Sequence, residues 1–240
     1  LTCHDGFTLY DLYTYNMKHN DANGWNNTDG DNNGNSWNCG CEGETQDPQI
    51  EALRRRMIKN AFATLMCSRG PAMFYAGDEF CNTQYGNNNA YCQDNEISWL
   101  DWGRREQYAD IYAFAQFMIH FRKAHPVLRK PTEPAACGFA DISYHHGRAW
   151  NADCGNNARL IGLLYAGRDD KGGDDLIFVG VNTYWEKLGT SFPDAPAGRQ
   201  WMLIADTARE GALPLNELIT AGRYDLEPRS VIILTTREYK

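Results

Sequence analysis

"GETQDPQIEALRRRMIKNAFATLMCSRGPAMFYAGDEF", residues 43–80, carries the reading on which the fold turns. Asp47 can cap a helix with Pro48 at its first position, where no backbone N–H is required. Ile50, Leu53, Met57 and Ala61 recur on one face, and Ile58, Phe62, Leu65 and Met66 widen that stripe. Gly70-Pro71 stops the pattern, so the spacing predicts a helix over 48–69. Ala72 to Ala76 then reads as a short buried strand ending at Gly77. Helix feeding strand across a tight turn is the αβ half of a parallel α/β repeat. Arg54, Arg55 and Arg56 read as a solvated face of the helix.

Downstream lies an Asn-rich loop, "GNNNAYCQDNEISWLDW" (86–102), and then a second amphipathic helix from about Arg104 to Ala124. Ile111, Phe114, Ala115, Met118 and Phe121 form its apolar face, and His125-Pro126 ends it. After about residue 130 the style changes. Apolar, β-rich segments at 158–166, 175–183, 200–205 and 230–236 are separated by Gly, Pro and Asp turns, with no long helix between them. That pattern predicts an antiparallel sheet or sandwich with its own core. Pro126, Pro131 and Pro134 mark the boundary, giving expected domains 1–128 and 129–240.

Upstream, residues 6–46 are polar and rich in Asn, Asp and Gly, with isolated Trp25 and Trp37. Such residues favour turns, but linkers rarely carry tryptophan, and a long loop in a globular protein is usually functional. Amides beside an exposed indole suit a sugar surface, offering hydroxyl partners next to a flat apolar face. Ahead of this loop His4-Asp5 precedes Gly6, as at the end of a strand turning into a functional loop.

Charge narrows the choice of partner. The net charge is −8, and residues 1–48 hold eight acids against one base, Lys18. An acidic field argues against nucleic acid and fits a neutral polyhydroxyl ligand. No stretch approaches the roughly 20 apolar residues of a membrane-spanning helix. Eight irregularly spaced cysteines do not read as a disulfide scaffold, and reduced thiols of a cytoplasmic protein are expected. Cys39-Gly40-Cys41 with His4 does not match the usual Cys-x-x-Cys knuckle, so neither a metal nor another cofactor is expected.

"CHDGFTLYDLYTYNMKHN" (3–20), the 43–80 stretch and "GNNNAYCQDNEISWLDW" together resemble the α-amylase superfamily of glycoside hydrolases, nearest its isoamylase-type and bacterial glycogen-debranching branch. The likeness is dense over residues 3–126 and looser beyond. It implies an α/β plus all-β chain: the last units of a (β/α)8 TIM barrel, from the end of strand 7 to helix 8, followed by a C-terminal antiparallel β-sandwich. It places the active site at the carboxyl ends of the strands.

By the same resemblance Asp5 is the transition-state-stabilising carboxylate of a retaining glycosidase, and His4 binds hydroxyls of the same sugar. Asn88, Asn89, Gln93, Asp94 and Trp25 are candidate α-glucan contacts, and Glu79 is a structural carboxylate near the site. Asn88, Asn89, Gln93, Asp94 and Asn95 could equally satisfy their own loop's backbone. Trp99 and Trp102 are candidate stacking residues that core packing would also explain. The nucleophile and general acid are expected upstream of residue 1, so a chain of this extent is expected to hydrolyse nothing alone. "GFAD" (138–141) and Glu133-Pro134 echo those motifs only by chance.

The expected activity is hydrolysis of α-1,6 branches in glycogen or related glucans. The alternatives are an α-1,4-glucan hydrolase or transferase of the superfamily and a non-catalytic glucan-binding module. Apolar surface left on an incomplete barrel predicts self-association. Tyr144, His145, His146 and Trp150 are candidates for a secondary sugar site in the sandwich.

Overall fold

The structure is a computed structural model describing residues 2–3, 5–153 and 155–238. The chain divides into two units, one of residues 1–65 with Ala72–Gln116, the other of Met66–Pro71 with Phe117–Lys240. The described residues form four α-helices: α1 (Leu9–Leu12), α2 (Pro48–Met66), α3 (Arg104–Gln107) and α4 (Ala109–Ala124). Eight strands follow among the described residues: β1 (Ile142–His145), β2 (Leu160–Arg168), β3 (Asp174–Asn182), β4 (Leu188–Ser191), β5 (Arg199–Asp206), β6 (Glu217–Ile219), β7 (Arg223–Leu226) and β8 (Ser230–Glu238). No helix among the described residues is long and apolar enough to cross a membrane.

In the first unit, α2 begins as its sequence dictates. The Asp47 carboxylate accepts the backbone N–H of Gln49 at 2.8 Å, satisfying a donor that the helix itself leaves open. Ile58, Phe62 and Ala63 are buried on its inner face. Arg54 is buried as well, which corrects the solvated-face reading of the arginine run for that residue. Its guanidinium donates to the carbonyls of Asn38 (3.0 Å), Cys41 (2.5 Å) and Gly43 (2.8 Å), and pairs with Glu51 at 3.2 Å. The charge is tolerated inside because both terminal nitrogens of its fork meet oxygens, although the buried Nε has no hydrogen-bond partner among the described residues.

Two expected elements differ. The second helix is broken at Tyr108, whose backbone (φ −114°, ψ 37°) leaves the helical region. There its ring lies under the guanidinium groups of Arg55 and Arg104, at 4.4 and 4.9 Å, and its hydroxyl meets that of Tyr10 at 3.3 Å. Residues 72–76 are not a strand and are largely exposed, Met73 at 63%. A parallel strand exists only by pairing with neighbours, and among the described residues nothing pairs with this segment.

The second unit is an antiparallel β-sandwich. Six strands pair in the order β1-β2-β3-β8-β5-β6, and β4 pairs with β7 as a second small sheet. The four long segments read from sequence appear as β2, β3, β5 and β8. Leu164, Phe178, Trp201, Leu203, Ile232 and Leu234 belong to its core cluster, each at most 3% exposed. The segment after α2 also belongs here. Arg122 gathers the carbonyls of Met66 (2.7 Å), Ser68 (2.7 Å) and Leu128 (3.0 Å), and Arg69 grips Asp141 through both terminal nitrogens at 2.5 and 2.7 Å.

Candidate functional site

A cleft of about 270 Å³ opens in the first unit, lined by Asp5, Tyr75, Gln84, Asn89, Ala90, Tyr91, Gln93 and Ser98. Asp5 is exposed at its edge. The following residue, Gly6, donates its backbone N–H to the Asn88 carbonyl at 3.2 Å, so the acidic tip is tied to the Asn-rich loop. The cleft is thus walled by one carboxylate, carboxamides, a serine and two tyrosines, a set that offers hydrogen bonds to hydroxyls and flat apolar faces to sugar rings.

Two buried carboxylates that the sequence reading did not assign hold these walls. Asp78 accepts from Thr2 Oγ1 (2.5 Å), Leu9 N (2.8 Å) and Tyr75 N (2.9 Å), fixing the chain on both sides of Asp5 and the backbone of Tyr75. Burial raises its pKa above the usual carboxylate range, an effect its hydrogen bonds only partly offset. Asp11 sits in α1 and accepts from Thr83 Oγ1, Gln84 N (2.8 Å) and Gly86 N (3.4 Å), which anchors the Gln84 wall. Complete burial pushes the Asp11 carboxyl up to about 6.

The two Asn-rich loops are bonded to each other. Asn20 is fully buried, donates to Asn88 Oδ1 (2.8 Å) and accepts from Asn88 N (2.9 Å). Asn23 and Asn87 exchange side-chain hydrogen bonds, and Gln93 Nε2 donates to Asn23 Oδ1 at 2.7 Å. Asn89 Nδ2 donates to Asp29 Oδ2 at 2.8 Å, and the Asn23 and Asn89 amides hold the Asp29 carboxyl below its usual range. Gly30 (φ +75°) is required at this seam, since a Cβ there would lie 2.2 Å from Asn88 Oδ1. Glu42 closes the far part of the loop, accepting from Asn16 N, Met17 N, His19 and Asn38. Burial would raise its pKa, but these donors outweigh that and hold it low.

The structure therefore brings Asp5, Asn89 and Gln93 together at one cleft. It places Asn88 behind them, buried, with its amide engaged by Asn20 and by the Asp31 carbonyl at 2.8 Å. Asp94 accepts the indole N–H of Trp99 at 3.1 Å, and neither residue lines the cleft. Trp25 is 59% exposed and also outside the lining. Glu79 is half-buried and accepts Gly77 N at 3.0 Å. Trp102 is exposed and its ring lies 5.1 Å from that of Phe80. His4 lies outside the described residues. Among the described residues, no group of His, Cys, Asp and Glu could hold a metal ion, and seven cysteines carry free thiols. Asp11 had one sequence signal, a lone acid inside the aromatic run Phe7–Tyr15. Asp78 had none beyond its neighbour.

No protein-family model matches the chain. Curated relatives do. Isoamylase 3, chloroplastic, of Oryza sativa subsp. japonica is 37% identical over 238 residues, covering 98% of this chain and 29% of the rice protein. Over nearly its whole length the chain is thus homologous to an isoamylase. A glycogen operon protein GlgX homolog of Mycobacterium tuberculosis is 56% identical over 130 residues, 54% of this chain and 18% of that protein. The glycogen debranching enzyme of Dickeya chrysanthemi is 48% identical over 130 residues, 54% of this chain and 20% of that enzyme. The chain thus matches between 18% and 29% of the length of these relatives. Among solved structures, a pullulanase from Bacillus acidopullulyticus matches 98% of this chain and 23% of its own, with a TM-score of 0.63 at 20% identity, a likeness of fold.

Proposed function

We propose that this chain is the C-terminal part of a debranching glycoside hydrolase that cleaves α-1,6 linkages of glycogen or related α-glucans with retention. The observation that carries the reading is Asp5 at the edge of a cleft walled by Asn89, Gln93 and two tyrosines. In a retaining glycosidase a nucleophile and an acid lie about 5–5.5 Å apart, and charge develops on the sugar as an oxocarbenium-like transition state. Asp5 is the further carboxylate that opposes this charge, with His4 beside it binding hydroxyls of the same sugar. Asn89 and Gln93 hold substrate hydroxyls; Asn88, buried behind them, holds the loop. Glu79 acts as a structural carboxylate. Nucleophile and acid come from a part of the enzyme that this chain does not supply.

Residues 1–128 are the proposed end of the catalytic barrel and 129–240 the sandwich domain. The exposed, unpaired segment 72–76 supports the first assignment, as an eighth barrel strand awaiting neighbours. Where the rest of the barrel is missing, that segment drives self-association, which sedimentation of the chain would register as species heavier than 27.2 kDa.

Product analysis tests the activity. An enzyme joining this chain to the remainder of an isoamylase-type barrel should release linear chains from branched glucan and leave linear amylose intact. Cleavage of amylose with branches spared would reject the reading.

A further inference from the structure

The loop after β1 holds a tryptophan in a backbone conformation that bulky L-residues avoid. Trp150 sits at φ +62° with its indole 57% exposed. Such a conformation persists only where the surroundings over-determine it, and it is often found at functional positions. Here the surroundings are specific. Trp150 N donates to Nδ1 of the buried His145 at 2.8 Å, so Nδ1 carries no proton. The proton on Nε2 is then offered to Ser143 Oγ at 2.9 Å. Gly162, the register partner of His145 on β2, makes the room: a Cβ there would lie 3.0 Å from His145 Cβ and 2.8 Å from Phe178 Cζ.

The loop is also stitched to β4. Ala149 N donates to Ser191 Oγ (2.9 Å), Ser191 N to the Gly147 carbonyl (3.3 Å), and Thr190 Oγ1 to the His146 carbonyl (2.9 Å). The ring of Phe139 meets the indole edge-on at 5.4 Å. Tyr144 is not part of this arrangement, because successive residues of β1 face opposite sides and His145 takes the inner one.

We propose that Trp150 is a stacking platform for an α-glucan chain on the sandwich unit, with His145 as the positioning residue that holds its backbone. A pyranose presents a flat C–H face and a rim of hydroxyls. The indole supplies the apolar plane, and its exposed sequence neighbours Arg148, Asn151 and Asp153 supply donors and acceptors for the rim. The charges of Arg148 and Asp153 offset one another, which suits a neutral ligand. The choice of an α-glucan rests on the function proposed above.

Affinity electrophoresis of the 240-residue chain through gels containing glycogen, with galactomannan gels as reference, tests the platform. The chain should be retarded by glycogen alone. Trp150→Ala should lose about 5-fold of that retardation, whereas Trp150→Phe keeps part of it and Trp185→Ala, an exposed tryptophan elsewhere on the unit, keeps all. Titration with a maltooligosaccharide should change tryptophan fluorescence in the parent chain and not in Trp150→Phe, which reads the site without depending on the alanine variant's folding. Retardation and fluorescence change that survive the loss of Trp150, or that vanish with Trp185, overturn the platform while leaving the debranching reading to its own product assay. A parent chain that glycogen does not retard overturns the platform too.

Discussion

The two units of this chain are held together by different forces. The sandwich is an apolar construction in which long antiparallel strands place Leu164, Phe178, Leu203 and Ile232 in a common core. The first unit between α1 and α3 is largely irregular chain, held by carboxylates, carboxamides and arginines that have left water and found partners inside. Asp11 ties α1 to residues 83–86, Asp78 ties residues 2, 9 and 75, and Arg54 gathers three loop carbonyls. A core of alkyl groups is tolerant of exchange but needs volume filled. A buried polar network tolerates little exchange, because removing one partner strands the others. The cleft sits in the second kind of structure, where side-chain positions are fixed by directed bonds.

That contrast can be broken by mutation. The largest stability loss should come from the sandwich: Phe178→Ala empties a site flanked by the rings of Phe192 and Trp201 and should cost about 3–5 kcal/mol, read from denaturant melting of the β-sheet circular dichroism. Arg54→Met should cost about 3 kcal/mol, with amide exchange accelerated over residues 38–43, because the carbonyls it gathers lose a buried cation. Equal or smaller exchange rates there would mean that the loop does not depend on this arginine.

Asp11→Ala should cost about 1–3 kcal/mol by leaving the donors of Thr83, Gln84 and Gly86 unmet. It carries a pH signature as well. The folded carboxyl holds its proton up to about pH 6, against an ordinary value of 3.8, so between these limits the native state binds more protons than the unfolded one. This group's contribution therefore favours the native state most below pH 3.8 and declines as pH rises through 6. The alanine variant should lack that slope. At the small end, Lys187→Gln removes an exposed pair with Glu227 and should change stability by less than about 1 kcal/mol.

The sandwich was the more legible of the two regions, for the same physical reason. Its four long strands announce themselves as β-branched and aliphatic runs between turn residues. The strands missed were β1, β4, β6 and β7, of three or four residues each, whose identity comes from pairing with a longer neighbour and not from their own composition. Helix α2 was legible because its cap, stripe and stop agree. The break at Tyr108 was not, since its ring stacks under Arg55 from a distant part of the sequence as well as under the nearby Arg104. Of the candidate site, Asp5, Asn89 and Gln93 are named by the sequence reading and line one cleft. The roles of Asp11 and Asn20 were hidden because short polar residues in a polar run look like surface until a partner some 70 positions away is known.

The proposed role of Asp5, opposing positive charge on a sugar bound in the cleft, is open to a direct kinetic comparison. In the proposed full debranching enzyme, Asp5→Asn should lower kcat on branched glucan by about 10²–10³-fold, the usual loss of one preorganised electrostatic contact, with the melting temperature unchanged because the residue is exposed. Turnover equal to that of the parent, with the protein still folded, would contradict it.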